Sequence, residues 1–253
     1  AARVHLVEAS PVLRAAQAQA LADHAPVFHD SLSDLPERPL FLIANEFFDA
    51  LPIRQFQYAD NGHWCERMIG ADADRLIWGL APPTPNAVLA HRAGGLHPGQ
   101  IVETCAPAEA IAGDIGRRIA AHGGAALIVD YGDWDSTGDT FQAVREHRPV
   151  DPLAAPGQAD LTAHVAFGPI ARAAQPARAS ALTPQGVFLE RLGITARAQV
   201  LAQSLQGPAL EAHVAAHRRL THPDEMGHLF RVLALTPPDS PLPPALDPGP
   251  TCP

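Results

Sequence analysis

Lysine is absent from the sequence, and all 18 basic residues are arginine. We interpret this bias, together with the abundant alanine and proline, as a property of the coding sequence and not as a functional signal. The formal net charge is −9. Without a basic stripe the chain is not expected to bind the phosphate backbone of a nucleic acid. No apolar run reaches the ~18 residues needed to cross a bilayer, so no membrane span is predicted.

Cysteine is scarce, and the three residues Cys65, Cys105 and Cys252 are isolated. No Cys-x-x-Cys pair occurs, so neither a disulfide scaffold nor a zinc site is indicated, and a reducing compartment is the default. The run 139–164 collects several aspartates and histidines, but their spacing fits no metal-ligand pattern. We therefore predict no metal site.

The chain has 253 residues, of which 47% are hydrophobic. This content suits one large or two small globular domains and excludes disorder throughout. The sequence opens on Ala1, without methionine or a signal segment, and runs at once into an apolar strand at 4–9. Because a globular domain rarely begins inside its second structural unit, we expect further sequence upstream.

Strands and helices alternate along the first third of the chain. Ser10 and Pro11 are typical of a helix start, and 40–44 is an apolar run of the kind buried on both faces of a parallel sheet. These units predict an α/β fold with a mostly parallel sheet. The predicted additions are an antiparallel β insertion at 53–100, a largely helical insertion at 139–225 and a disordered, proline-rich tail at 236–253.

Polar side chains follow three predicted strands where ligands of open α/β sheets bind. Glu8 ends the first strand, and an acid there can accept hydrogen bonds from both ribose hydroxyls of an adenosine ligand. A solvated surface acid is an equal alternative for Glu8. Asn45 and Glu46 follow the strand at 40–44, and Asp130 follows the strand at 125–129, where it could also be a helix or turn cap.

Longer motifs resemble one known family. The run Asn45-Glu46-Phe47-Phe48-Asp49-Ala50-Leu51-Pro52 resembles the signature of the MidA family of class I adenosylmethionine-dependent methyltransferases. The likeness continues, in order, through 7–10, 103–105, 127–132, 138–140, 150–153, 159–165, 183–189 and 225–227. It implies a Rossmann-like catalytic domain over residues 1–235, whose N-terminal strand and glycine loop are missing. It also implies S-adenosyl-L-methionine as cofactor and an arginine of a protein partner as methyl acceptor.

The resemblance also implies roles for individual residues. A carboxylate can localise the charge of a guanidinium and orient one nitrogen, and a base can remove its proton during or after attack. The expected catalytic residues are Asn45, Glu46 and Asp49, and the expected cofactor-binding residues are Glu8, Ala9 and Asn45. The expected substrate-binding residues are Asp130, Tyr131, Asp160, Thr162 and His164, although a loop tied down by hydrogen bonds explains the last three equally well.

Two departures from the family keep a second function open. The glycine-rich loop that approaches the methionine part of the cofactor is not in this sequence, and Ala166 stands where the family usually has an acid. Both favour a non-catalytic binding or assembly protein on the same fold. A nicotinamide-dependent oxidoreductase would need a Gly-x-Gly-x-x-Gly loop, and none is visible.

The family also suggests partners and a compartment. Its mitochondrial members are assembly factors of respiratory complex I, so a complex I subunit is the candidate substrate protein. The expected location is the cytoplasm, or the mitochondrial matrix in a eukaryote. The sequence does not fix the oligomeric state, and a homodimer is left open.

Overall fold

The structure is a computed structural model that describes residues 3–135 and 137–249. The helices are α1 (Pro11–Ala20), α2 (Ala106–His122), α3 (Phe167–Ala173), α4 (Gln185–Arg191), α5 (Ile194–Ala202), α6 (Gly207–Thr221) and α7 (Met226–Leu229). The strands are β1 (His5–Val7), β2 (Val27–His29), β3 (Leu40–Asn45), β4 (Arg54–Asp60), β5 (His63–Asp72), β6 (Arg75–Leu80), β7 (Thr84–Pro85), β8 (Ile101–Thr104), β9 (Gly124–Asp133), β10 (Gln142–Arg145), β11 (Arg148–Val150), β12 (Asp160–Thr162), β13 (Val165–Ala166), β14 (Arg178–Ala179), β15 (Thr183–Pro184) and β16 (Phe230–Thr236).

The central sheet is built on β9. β3 and β13 pair with β9 in parallel, β16 pairs with it antiparallel, and β14 and β15 extend from β16. Successive side chains of β16 point to opposite faces, so both faces are covered. Leu233 and Leu235 pack in one core with α2 and α3, whereas Val232 and Ala234 pack in another with Phe188 of α4. Helices on both faces of a mixed sheet give the predicted α/β class.

β1 and β2 form a separate two-stranded parallel sheet. α1 connects them, and its first turn is fixed as the sequence predicts: the Leu13 amide donates to the Ser10 hydroxyl, and Pro11 stands at the first helical position. The edge of β3 away from β9 has no partner among the described residues. Two apolar residues of this strand, Phe41 and Ile43, are 83% and 77% exposed.

The predicted β insertion is a five-stranded antiparallel sheet, which we call the β arm (β4–β8). The hairpin between β4 and β5 turns at Asn61 and Gly62, both with positive φ, as the Asn-Gly signal predicts. Trp64 is 1% exposed and packs with Phe56 and Val102 in a separate small core. The arm extends to Thr104 and so ends slightly beyond the predicted limit at residue 100.

Two sequence expectations for the second half need correction. The insertion at 139–225 is helical only in part, because β10, β11 and β12 form a three-stranded antiparallel sheet between residues 142 and 162. These strands have three or four residues each, too short for their alternation to register in the sequence.

The second correction concerns the tail, which is ordered from residue 236 to Gly249 and not disordered as expected. Leu246 is buried against Phe188, and the Asp247 carbonyl accepts from the Ala181 amide. Residues 250–253 lie outside the described residues. This proline-rich segment packs against the protein because one of its apolar side chains, that of Leu246, reaches the core.

No helix in the described part of the chain is both long and apolar enough to cross a membrane. Over those same residues, no three His, Cys, Asp or Glu side chains are grouped so as to hold a metal ion.

Candidate active site

Asn45 and Glu46 stand at the carboxyl end of β3, as the sequence predicts. Glu46 has φ +50°, a left-handed conformation that is uncommon for a residue with a side chain. The strand pairing nevertheless holds it there, because the Glu46 amide donates to the Val129 carbonyl at 3.0 Å. The Asn45 amide group donates to Glu46 Oε1 at 3.3 Å, and both side chains are exposed. Backbone strain at a strand end that exposes two polar groups is a feature of functional sites.

Asp130 anchors the turn that follows Asn45 and Glu46. Its Oδ2 accepts the amides of Phe48 at 3.1 Å and Asp49 at 3.3 Å, and its Oδ1 accepts the Tyr131 amide at 3.0 Å. Asp130 is 0% exposed. In this structure Asp130 lies beneath the turn and positions its residues, and a contact between Asp130 and substrate stays a prediction.

Burial, and after it the negative charge of Asp49, raises the pKa of Asp130 to about 7. The three amide donors act in the opposite direction because they stabilise the carboxylate. The cost of removing an ionised carboxylate from water is large in such a place. Asp130 is therefore an acid that changes protonation near neutral pH inside the core.

Asp49 is 5% exposed, and its two carboxylate oxygens differ. Oδ2 accepts the Tyr131 hydroxyl at 2.5 Å. Oδ1 is buried and has no hydrogen-bond partner among the residues that the structure describes. Burial and the hydrogen bond to Asp49 raise the pKa of Tyr131. The phenol therefore stays protonated and donates a hydrogen bond to Oδ2. A buried carboxylate oxygen without a hydrogen bond costs folding free energy, and a bound ligand that donates to it removes this cost.

His164 and Thr162 lie close to Tyr131, and their expected role as substrate contacts stays a prediction. The rings of His164 and Tyr131 meet edge to face with centroids 5.4 Å apart. The Thr162 side chain acts to lower the pKa of Tyr131, against the larger effect of burial. Asp160 is exposed on β12, where it pairs with Val144, and no contact joins it to Tyr131 or Asp49.

Sequence reasoning missed Glu103 as a supporting residue, although it lies in a motif of the resemblance. Glu103 is buried and accepts from the side chain of Gln55 at 2.7 Å and from the Thr140 amide at 2.9 Å. Its other oxygen accepts the Thr140 hydroxyl. The Thr140 oxygen in turn accepts the His164 amide at 2.9 Å. The β arm therefore holds His164 through two hydrogen-bonded residues.

Glu8 ends β1, with Ala9 exposed beside it. Glu8 Oε1 accepts the Ser10 amide at 2.8 Å, and Oε2 accepts the Gln17 side chain at 3.0 Å. A carboxylate has about four acceptor positions, so each oxygen keeps capacity for one further donor. Glu8 thus caps its own helix and can still accept two ribose hydroxyls.

A cavity of about 370 Å³ adjoins the Asp49 cluster. It opens between the start of α2, the start of α3 and the 3₁₀-helix Ala87–Arg92. Phe48 and His164 form its wall toward Asp49, and Ala166 lines it as the residue that precedes α3. Most of the lining is apolar. Of its acidic and arginine residues, Glu103 is buried, Arg92 is half-buried, and Glu109 and Arg172 are exposed. Its size suits a large amino-acid side chain.

Carboxylates and an amide at the carboxyl ends of sheet strands define an α/β protein with a ligand site at that edge. The chain belongs to the family described as "Putative S-adenosyl-L-methionine-dependent methyltransferase", whose model matches residues 1–185.

Several named proteins are similar in sequence to this chain over most of its length. The chain is 35% identical over 264 residues to human "Protein arginine methyltransferase NDUFAF7, mitochondrial" and 35% identical over 263 residues to the rat protein. Each alignment covers 92% of this chain, but 58% of the human and 59% of the rat relative. The chain therefore spans somewhat less than two thirds of the length of these relatives.

Two solved structures from Burkholderia thailandensis are also similar. One, described as a likely methyl transfer enzyme of the COG1565 superfamily bound to S-adenosyl-homocysteine, aligns with a TM-score of 0.79 at 29% identity. It covers 96% of this chain and 66% of that one. The other is a native structure from the same superfamily, with a TM-score of 0.77 and 30% identity over 94% of this chain and 67% of that one.

Proposed function

We propose that the chain is the larger part of an S-adenosyl-L-methionine-dependent methyltransferase that methylates an arginine side chain of a protein. The observation that carries this proposal is the buried Oδ1 of Asp49, which has no donor. A guanidinium presents several N–H groups in a planar fork and is the side chain best suited to complete a buried carboxylate. Names of relatives that are arginine methyltransferases support the same acceptor.

The residues at the strand ends fit the cofactor. Glu8 keeps two acceptor positions for ribose hydroxyls, Ala9 leaves the space beside it open, and Asn45 is exposed at the end of β3. The cofactor supplies a methyl group on a sulfonium. The acceptor need only be placed in line with that group, so most of the task of this chain is positioning.

The cluster around Asp49 suits the acceptor. Tyr131 donates to Oδ2 and so fixes the carboxylate with Oδ1 available. When one N–H of a guanidinium donates to Oδ1, the positive charge of the group is drawn toward that nitrogen. The lone pair of another nitrogen is then more available for reaction. Glu46, which is exposed and three positions before Asp49, is our candidate for the base that takes the proton from the methylated nitrogen and releases it to water.

The remaining assignments rest on the family resemblance. We propose a subunit of respiratory complex I as the protein that carries the acceptor arginine. The proposed compartment is the cytoplasm of a bacterium or, as for the mitochondrial relatives, the mitochondrial matrix of a eukaryote.

Calorimetric titration of S-adenosyl-L-methionine into the 253-residue chain and into a chain extended upstream by its natural sequence tests the cofactor assignment. We expect binding by the extended chain. Transfer of a labelled methyl group to arginine peptides then tests the acceptor. Asp49→Asn should keep cofactor affinity within a few-fold and lose transfer, whereas Asp160→Asn, an exposed matched control, should keep both. Binding by neither chain would instead favour the assembly-protein hypothesis.

A further inference from the structure

The β arm carries an apolar surface that its own sheet does not use. Every residue of β6 is exposed. Six large apolar side chains on the hairpin β5–β6 are 37–54% exposed. They are Met68, Ile69, Leu76, Ile77, Trp78 and Leu80. The register of the hairpin, with Ile69 opposite Trp78 and Met68 opposite Gly79, places Ile69, Leu76, Trp78 and Leu80 on one face and Met68 and Ile77 on the other. Exposed apolar residues grouped along one strand edge are typical of an interaction surface and not of scattered surface residues.

β6 is also an open edge. It pairs with β5 alone, so its outer row of backbone groups has no strand partner among the described residues. Proteins usually protect such an edge with charged residues or proline. The stretch 76–80 contains neither. The charged residue of β6, Arg75, lies at the tip of the hairpin, where it approaches Asp72 at 3.8 Å.

The strand is held in place from within its own chain. Arg67 stacks over the Trp78 ring at 4.3 Å, and Asp139 fixes Arg67 through a 2.6 Å ion pair. Phe141 meets the same indole edge to face. A rigid edge costs less entropy to dock than a mobile one.

β6 is complementary to a second copy of itself. In an antiparallel pair about a two-fold axis at Trp78, that residue faces its own copy, Leu76 faces Leu80, and Ile77 faces Gly79. Each pair then lies on one face of the continuous sheet. Gly79 has nothing within 4 Å of where a Cβ would stand, so it leaves room for the opposing Ile77.

The available area agrees with a weak dimer. Large apolar side chains have areas on the order of 200 Å², so the exposed fractions of the four on β6 correspond to about 340 Å² per copy. Two copies then offer roughly 700 Å², less than the ~1,000 Å² of a stable specific interface, so we expect the pairing to be weak and to depend on the chain concentration. We propose that two copies of this chain pair through β6, antiparallel and in this register, to form one continuous sheet.

The edge of β3 is the competing surface, since Phe41 and Ile43 are more exposed than the large apolar residues of β6. It has only two such side chains, and nothing in the structure shows what covers it. It therefore serves as the matched control surface.

Sedimentation equilibrium over a range of chain concentrations tests the proposal. The wild-type chain and F41E/I43E should form a dimer, whereas L76E/L80E and L76K/L80K should each be monomeric because like charges then face each other. Mixing the two β6 variants should restore a dimer, since each new acid then faces a new base. Circular dichroism spectra of the variants should match the wild type, because the substituted side chains are exposed. Their melting temperatures should equal that of the wild type at concentrations where the wild type is also monomeric.

Cysteine cross-linking tests the register in a C252S background. Trp78→Cys should form a covalent dimer on mild oxidation, and Ile77→Cys and the parent chain should not. The proposal is overturned if the wild-type chain is monomeric at all concentrations, or if F41E/I43E is monomeric while both β6 variants dimerise. Cross-linking at residue 77 in place of 78 would overturn the register.

Discussion

The buried acid Asp130 makes the stability of this protein depend on pH in an unusual direction. Its pKa is about 7 in the folded chain, against 3.8 for an exposed aspartate. Between these two values the folded state therefore binds more protons than the unfolded state. Stability from this group is greatest below about pH 4, falls as the pH rises through 7 and levels off above it.

The magnitude follows from the two pKa values. One pKa unit corresponds to about 1.4 kcal/mol, so the full difference is on the order of 4 kcal/mol. Between pH 5 and pH 8 the expected loss is about 2–3 kcal/mol of unfolding free energy. Most of it comes from burial, and a smaller part comes from the charge of Asp49.

Urea unfolding at several pH values, for the wild type and for Asp130→Asn, measures this loss. The asparagine keeps an oxygen for the amides of Phe48 and Asp49 but does not ionise. The difference in unfolding free energy between wild type and variant isolates Asp130, because the histidines titrate in both. We expect that difference to fall by about 2–3 kcal/mol from pH 5 to pH 8. A difference that stays constant with pH would refute the reasoning, and Asp160→Asn, an exposed control, should reproduce the wild-type slope.

Further substitutions test the packing and the proposed site. Gly116→Ala should lower the unfolding free energy by about 2 kcal/mol or more in urea unfolding, although alanine favours helix by ~1 kcal/mol. The new Cβ would stand 1.8 Å from the Ala174 carbonyl oxygen. Ala166→Asp should raise the unfolding free energy by ~1 kcal/mol, because α3 lacks a side-chain cap; no gain would mean that the cap is already satisfied. In the upstream-extended chain, Glu8→Ala should weaken cofactor binding by calorimetry, whereas Glu46→Gln should abolish methyl transfer and change affinity only a few-fold. An unchanged affinity in Glu8→Ala would contradict the ribose assignment.

The strands that carry the site could be predicted because their sequence signals are local. The apolar run of β3 and the Asn-Gly turn at 61–62 each specify structure within a few residues. The helical part of the predicted insertion at 139–225 includes two helices that follow each other, α5 and α6. Gly207 and Pro208 mark the break, with Gly207 at φ +54° and the proline in the first turn of α6.

The functional difference between the two aspartates could not be read from the sequence. Asp49 and Asp130 are separated by 81 positions, and in the sequence each comes soon after an apolar run. Which of them is fully satisfied and which has an orphan oxygen depends on the register of β3 against β9, which brings Asn45 opposite Val129. Long-range register of this kind has no local sequence signature.

The position of the β arm gives it a role beyond its own fold. Glu103 belongs to β8, the strand of the arm that leads directly into α2, and it fixes Thr140 and through it the backbone of His164. His164 packs on Tyr131, which sets the orientation of the Asp49 carboxylate. The opposite edge of the same sheet is β6, the strand for which we propose pairing with a second copy. A dimer formed there would restrain the arm that orders the Asp49 cluster, so monomeric β6 variants should show weaker methyl transfer with cofactor affinity unchanged.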